Sequence, residues 1–575
     1  MIVNYEALPL SFRLMLLAIA VLLAWYLKNE KLDRVVDWLG RMTGRPVACF
    51  LLIIGTSLAV NFICTVVSYP RPRIHDEFSY LLAADTYSHG RLTNPTHPHW
   101  KHFETFHVIS HPSYMSKYPP ANGLALAVGQ VTTGHPIVGS WLTLSFALAG
   151  LYWMLCGWMS RKWALIGTMI LSVNLAMITA WGQTYWGGSP QMLGGVLLFG
   201  ALRRIIDPAK RSKPIWVYSI LFALGASILA FSRPFEGLVC CLVTGILLGV
   251  WLIRATEISL AQKFLQACVP VGIIGAIAAA LLGVNNFAVT GDATKLPYSV
   301  HSQQYESTSL FIWGSLPEFP EYNLNHMKNF YSGWVRQRQL DAQTLKGYSK
   351  LIANKAALLY RYFPFIFGIC LIPAFAMAKN SRWIKFALLV MGGLLLLEFQ
   401  LVHSNTYPHY IAPIIGLFYF VMFQGIRSWE ISAKRKKKRS IVLPTVVCYT
   451  VLLLAFNLVM SGVTTIPSRY SGFGKELASQ PGKHLVFVRY SDTHDGHAEM
   501  VYNKSDIDNA QVIWANDLSP ESNNELIKSL GERTVWIWDL GSRSKPRMLG
   551  DSEWFPLPKT LPKINSLQTK LPIGE

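Results

Sequence analysis

Apolar runs of about 17–25 residues recur along this chain, each closed off by charged or aromatic residues. A run of that length, coiled as a helix, covers a hydrocarbon layer about 30 Å thick. In such a layer only helices and closed barrels satisfy their own backbone groups. Twelve runs qualify: 10–27, 47–69, 136–158, 163–181, 189–202, 214–231, 235–253, 265–288, 362–378, 386–402, 410–426 and 440–462. The run 189–202 is the shortest of them. Charged residues make up 15% of the chain, where a soluble protein has about 25%. Aromatic residues at 13% suit belts at many membrane–water boundaries. These features predict a polytopic α-helical membrane protein with about 12 transmembrane helices.

The formal net charge of +20 invites a nucleic-acid reading. The distribution of the charges argues otherwise. With the N-terminus outside, the inner loops are 28–46, 159–162, 203–213, 254–264, 379–385 and 427–439. Together they hold 24 Lys or Arg against six Asp or Glu. The run Lys434-Arg435-Lys436-Lys437-Lys438-Arg439 is the strongest marker, whereas the outer turns 182–188 and 403–409 hold no Lys or Arg. This is the positive-inside asymmetry, and it uses up most of the excess charge without a nucleic-acid partner. The eight cysteines all fall in apolar segments, so no disulfide framework or cysteine-based zinc site is implied. The first apolar run lacks a basic region before it and a small-residue cleavage site after it, so it reads as a span, not a cleaved signal.

Two units follow. Residues 1–462 form the transmembrane part, with a first outer loop 70–135 and a second outer loop 289–361. Within the first loop, Ala121 to Val131 reads as a short interfacial helix. Residues 463–575 read as a small outer α/β domain ending in an extended tail. His484–Tyr490, Ala510–Ala515 and Thr534–Asp539 have the length and composition of short buried strands. Ser519-Pro520-Glu521 opens a helix, with Ser as N-cap and Pro at the first helical position.

The first outer loop carries the richest chemistry. Seven of the chain's 15 histidines lie between His75 and His111. Adjacent carboxylates, Asp76 and Glu77, follow a span closely, where a carboxylate can act as general base toward an acceptor hydroxyl. Lys117, in Lys117-Tyr118-Pro119-Pro120, is either a phosphate contact or an interface lysine extended toward water. Arg233, in Ser232-Arg233-Pro234-Phe235-Glu236-Gly237, is either a phosphate clamp or the local partner of Glu236. The stretch His403-Ser404-Asn405-Thr406-Tyr407-Pro408-His409-Tyr410 and the turn Trp186-Gly187-Gly188-Ser189 stand at further outer helix ends. His97, His99, His102, His107 and His111 offer metal ligands, but no spacing among them matches a known motif. The expectation is therefore no metal and no other cofactor.

Four of these segments, in this order, resemble the GT-C superfamily of polytopic glycosyltransferases. The likeness is to bacterial family 39-like proteins related to protein O-mannosyltransferases and aminoarabinose transferases. The matching stretches are Asp76-Glu77, Lys117-Tyr118-Pro119-Pro120, Arg233-Pro234-Phe235-Glu236-Gly237 and His409-Tyr410-Ile411-Ala412-Pro413, spanning about residues 47–430. The chain departs from the pattern in having a span before the one that feeds the first loop. In the tail, Glu499-Met500-Val501-Tyr502-Asn503, Asp506-Ile507-Asp508 and Val512-Ile513-Trp514-Ala515 resemble the end of uncharacterised bacterial proteins of the same group. The resemblance implies a bacterial inner-membrane enzyme with its N-terminus and C-terminal domain on the periplasmic side. It implies inverting transfer of a hexosyl or pentosyl sugar from a polyprenyl-phosphate donor to a glycan, lipid or protein acceptor. Asp76 would be the base and Glu77 its assistant. Lys117 and Arg233 would bind the donor phosphate, and His75, Tyr118, Glu236, His409 and Tyr410 would line the pocket. The alternative is a transporter or flippase of lipid-linked or small solutes, which would favour polar groups near mid-membrane and internal repeats. The glycosyltransferase reading makes a geometric demand: four segments distant in sequence must converge on one cavity.

Overall fold

Proline sets the start of many helices in this protein. In the computed structural model, which describes residues 9–26, 30–256, 258–362, 365–402, 407–463, 472–492, 494–541 and 546–549, Pro46, Pro120, Pro136, Pro234, Pro297 and Pro408 each stand in the first helical turn. The ring fixes a helical φ and its missing N–H is not needed there.

A helix occupies every predicted span, but the spans are not equal. Six helices are long and apolar enough to cross a membrane: Pro46–Val67, Pro136–Trp158, Pro234–Arg254, Leu260–Thr290, Pro408–Arg435 and Val442–Ser461. Arg161–Ser172 and Leu175–Gly182, bent by 57° at their junction, make a seventh if they are one span. The other predicted spans hold shorter or more polar helices: Leu10–Tyr26, Ser189–Ile206, Ile215–Ala230, Phe365–Ala378 and Arg382–Phe399. Among the described residues, six helices meet the requirement of length and hydropathy, or seven if the bent pair is one span, against the twelve predicted.

Burial grades the bundle. The apolar window of Pro408–Arg435 is 89% buried and that of Leu260–Thr290 only 6%. The first is a central helix; the second presents its apolar surface outward, as a lipid-facing helix does. One close approach shapes the outer end. A Cβ on Gly139 would stand 1.9 Å from the carbonyl oxygen of Ala125, so helix Pro136–Trp158 crosses helix Pro120–Thr133 backbone to backbone. Gly134, at φ +75°, makes the turn between them. On the outward side of Pro120–Thr133, Leu124, Val128 and Val131 are exposed, as an interfacial helix requires.

The loop from 70 to 135 is more ordered than its sequence suggested. Asp76 and Glu77 lie not in a loop but in the first turn of a helix, His75–Ser88. A small three-stranded sheet follows, in which Val108–Ile109 pairs antiparallel with Met115–Ser116. That pairing folds the loop back so that His107 sits opposite Lys117, whose N–H donates to the His107 carbonyl over 3.2 Å. The stretch 289–361 also holds helices that sequence analysis did not delineate: Pro297–Tyr305, Asn325–Lys328, Arg336–Ala342 and Leu345–Tyr362.

The carboxyl-terminal strands are His484–Arg489, Val512–Asn516 and Thr534–Asp539, close to their predicted positions. The first lies between the other two and runs parallel to both. Arg547–Met548 adds an antiparallel edge that was not anticipated. Ser519 caps helix Pro520–Ser529 through the N–H of Ser522, as predicted. This sheet shares a core with the first outer loop: Leu82, Phe103, Val108 and Tyr114 pack with Leu485, Phe487, Ile513 and Leu526. Phe78 stacks flat on Tyr502 at 4.0 Å. The predicted tail beyond residue 549 and the predicted contacts His403 to Thr406 lie outside the described residues.

Candidate active site

The first turn of helix His75–Ser88 points one carboxylate into a cavity and the other away from it. The cavity holds about 650 Å³. Its walls come from helix ends, the stretches 70–135 and 289–361 and the carboxyl-terminal region. Asp76 lines it; Tyr118 donates its hydroxyl hydrogen to Asp76 Oδ1, and His107 Nε2 lies 4.0 Å from Oδ2. The helix N-terminus favours negative charge at this position.

Glu77 takes a different role from the one expected. Its carboxylate is buried and accepts the backbone N–H of Arg73 at 2.8 Å and of Tyr185 at 3.1 Å. Burial pushes it above the usual carboxylate range, against the pull of those two bonds. It ties the helix start to the turn after Gly182 and does not line the cavity.

Lys117 does line the cavity, but as half of a buried pair, 3.5 Å from Glu306 Oε1 on the second outer loop. Its ammonium also lies 4.8 Å from the ring centre of Tyr298. Burial lowers Lys117 and Glu306 opposes that shift. Burial would raise Glu306, yet Lys117, the His301 ring 3.8 Å away and the hydrogen bond from Ser302 hold it at about 2. Arg233 makes the local pair the sequence offered, 3.4 Å from Glu236 Oε1, and also lines the cavity, with its guanidinium 4.3 Å from the ring centre of Tyr410.

Of the nine residues singled out from sequence, His75, Asp76, Lys117, Tyr118, Arg233 and Tyr410 line this one cavity. Glu77, Glu236 and His409 stand behind the wall: Glu236 as the partner of Arg233, and His409 buried between Trp186 and Tyr410 at ring separations of 4.7 and 4.5 Å. Tyr407, from the stretch ending at Tyr410 that the sequence did single out, also lines the cavity; sequence reasoning missed Tyr298, Glu306, Trp334, Arg338 and His497, which line it too. They belong to no motif, and only tertiary contacts bring them in.

Two of the seven histidines between His75 and His111 tie the loop to the carboxyl-terminal region. His97 bonds to Asp508 at 3.0 Å, and His102 is buried between the Asn516 carbonyl and Ser522 Oγ, each at 2.9 Å. Of the five metal candidates, only His107 joins a cluster. With His75 and Asp76 it offers three ligand atoms within 4.8 Å of one another, so these are the residues with which a divalent ion could engage. Burial keeps both imidazoles neutral, His75 lowered to about 4 and His107 well below its usual value. His107 also adopts a left-handed backbone, φ 62°, which is uncommon for a residue with a side chain.

No family model matches this chain, and no curated protein matches it. Several solved structures are similar to it. One is the oligosaccharyltransferase of Archaeoglobus fulgidus in the apo form, at 9% identity and a TM-score of 0.38, covering 79% of this chain and 63% of that one. The same organism's AglB, in complex with an inhibitory peptide and a dolichol-phosphate, gives 9% identity and a TM-score of 0.43 over 84% and 69% of the two chains. ArnT from Cupriavidus metallidurans bound to undecaprenyl phosphate gives 13% and 0.46, over 85% and 92%. The chain thus spans less than two thirds of the first of these. With TM-scores below 0.5, none of these likenesses bears on the chemistry.

Proposed function

We propose that this chain is a multi-pass membrane glycosyltransferase that moves a sugar from a polyprenyl-phosphate donor to an acceptor hydroxyl, with inversion, on the periplasmic face of a bacterial inner membrane. One observation supports this best: Asp76, Lys117, Arg233 and Tyr410, from four segments far apart in sequence, line a single cavity among helix ends. A site there lets a lipid tail stay in the bilayer while the sugar meets water.

In the proposed step the acceptor oxygen attacks the anomeric carbon from the side opposite the phosphate. Its proton passes to the Asp76 carboxylate. The bond from carbon to phosphate oxygen breaks, and the polyprenyl phosphate leaves with the electron pair. Tyr118 fixes one oxygen of Asp76 and so orients the other. Lys117 and Arg233 supply positive potential where charge grows on the leaving phosphate, which is where stabilisation accelerates a reaction most. Both already share that charge with Glu306 and Glu236.

The test is mass spectrometry of envelope glycans and glycoproteins from a deletion strain, complemented with the wild-type gene or with Asp76→Asn. Loss of one glycan, restored only by the wild type, supports the reading. An unaltered glycan profile, or full restoration by Asp76→Asn, overturns it.

A further inference from the structure

Three cations line the cavity, and two of them have carboxylate partners, Lys117 with Glu306 and Arg233 with Glu236. Arg338 has no carboxylate within 4.0 Å among the described residues. Its guanidinium instead lies 3.4 Å from the ring centre of Trp334, one turn earlier on the same face. Burial lowers Arg338 to about 10, with Tyr407 acting in the opposite direction. Arg338 is half-buried and has no carboxylate to displace, so this arrangement favours the arrival of an anion.

Arg336, two residues before, shows what a structural arginine looks like here. It donates to the carbonyls of Ser307 and Pro317 at 2.9 and 2.8 Å and covers Phe319. It does not line the cavity, whereas Arg338 does. Stacking on an indole covers the face of a guanidinium and leaves its in-plane N–H fork for a planar or tetrahedral oxyanion.

The carboxyl-terminal region completes the surroundings. His497 lines the cavity with its ring 5.0 Å from Trp334 and 5.3 Å from Phe330. Asp495 Oδ1, 2.8 Å away, engages His497 Nδ1. Gly496 allows the approach: a Cβ there would stand 2.9 Å from Phe106 and 3.1 Å from Phe330. Buried Glu499 anchors the segment to the second outer loop through His326 Nε2 at 2.8 Å.

We propose that Arg338, stacked on Trp334 with His497 beside it, is the carboxylate-free cation of an anion subsite that takes a ligand's phosphate group in the cavity Lys117 and Arg233 also line. Naming that phosphate as a polyprenyl carrier's rests on the function proposed above; the subsite itself does not.

The experiment uses the full chain in phosphatidylcholine nanodiscs. Undecaprenyl phosphate binding is read by native mass spectrometry and inorganic pyrophosphate binding by calorimetry. Arg338→Ala should weaken undecaprenyl phosphate at least about tenfold, the loss of roughly one charged hydrogen bond. Arg338→Lys should recover part of that loss, since it keeps the charge but not the fork. Lys350→Ala, at an exposed position on the same outer loop, should change nothing. Thermal unfolding checks each variant, and if Arg338→Ala does not fold, Arg338→Lys and Trp334→Phe carry the test. Arg338-dependent binding of pyrophosphate without binding of the lipid keeps the subsite and overturns the lipid source. Binding of neither probe, or wild-type binding by Arg338→Ala, overturns the subsite. Sugar transfer alongside normal lipid binding by Arg338→Ala removes the subsite and leaves the glycosyltransferase standing. Arg338-dependent lipid binding without sugar transfer does the reverse.

Discussion

Lys117 Nζ lies 3.5 Å from Glu306 Oε1, and both side chains are largely withdrawn from water. The pair joins the two outer loops across the cavity floor. A lysine read from sequence as a phosphate contact is thus also a tie between loops, and its charge reaches the cavity only in part. The same holds for Arg233 with Glu236. These two cations are compensated by carboxylates, so an anion that meets them in the cavity leaves no bare charge behind when it departs.

Glu306→Gln should destabilise the folded protein by about 3 kcal/mol, because it leaves the Lys117 ammonium buried and unpaired. The acid response follows from sign. Glu306 is held at about 2 in the fold against an ordinary 4.5, so its contribution is complete above 4.5 and is lost as pH falls from there toward 2. The thermal midpoint of the wild type should drop across that window, and that of Glu306→Gln should drop less. Matching acid profiles would show that the pair is not the source.

Asp76→Asn should lower kcat for sugar transfer by about 10²–10⁴-fold, the range a positioned general base supplies, with the unfolding temperature near that of the wild type. Tyr118→Phe removes one hydrogen bond to the same carboxylate. Its effect should be about tenfold, since a hydrogen bond to a charged group is worth around 1.5 kcal/mol. Equal loss in both variants would mean that Tyr118 does more than orient Asp76.

Arg233→Lys keeps the charge beside Glu236 but gives up the flat contact with Tyr410. It should fold and show a raised KM for the lipid-phosphate donor. Arg233→Ala should in addition lose stability, because Glu236 is then buried without its cation. Unchanged donor kinetics in Arg233→Lys, together with unchanged kinetics in Lys117→Ala, would remove both residues from phosphate stabilisation.

Gly496→Val tests the contribution of the carboxyl-terminal region. The added side chain meets Phe106 and Phe330 and must displace the segment that carries His497. Transfer per folded molecule should fall, while the sheet, anchored elsewhere through His102 and Asn516, keeps its resistance to proteolysis. Wild-type turnover would show that the cavity tolerates the shift.

The helices were legible because lipid-length apolar runs and N-terminal prolines are local signals, strong enough to place a helix at each span. The site was legible only where chemistry sits at a helix end beside a marked dipeptide or turn, as with Asp76, Lys117, Tyr118 and Arg233. Glu306, Arg338 and His497 were not, because their part in the cavity depends on how the two outer loops and the carboxyl-terminal segment fold over one another. The histidines misled in the opposite direction. His97 and His102 drew attention as ligands by their density, yet they hold the carboxyl-terminal sheet against the first outer loop.

Glu77→Gln separates the neighbouring carboxylates, which sequence alone could not. Glu77 accepts two backbone N–H groups, from Arg73 and Tyr185, and does not line the cavity. A glutamine keeps one accepting oxygen and turns an NH₂ toward the other donor, so one buried N–H is left without a partner. That costs about 1–3 kcal/mol, and thermal unfolding should show it. Because the lost bond lies at the helix start and not at the reacting atoms, kcat per folded molecule should stay near the wild-type value. A loss of turnover on the scale of Asp76→Asn, with the unfolding temperature unchanged, would return Glu77 to the chemistry.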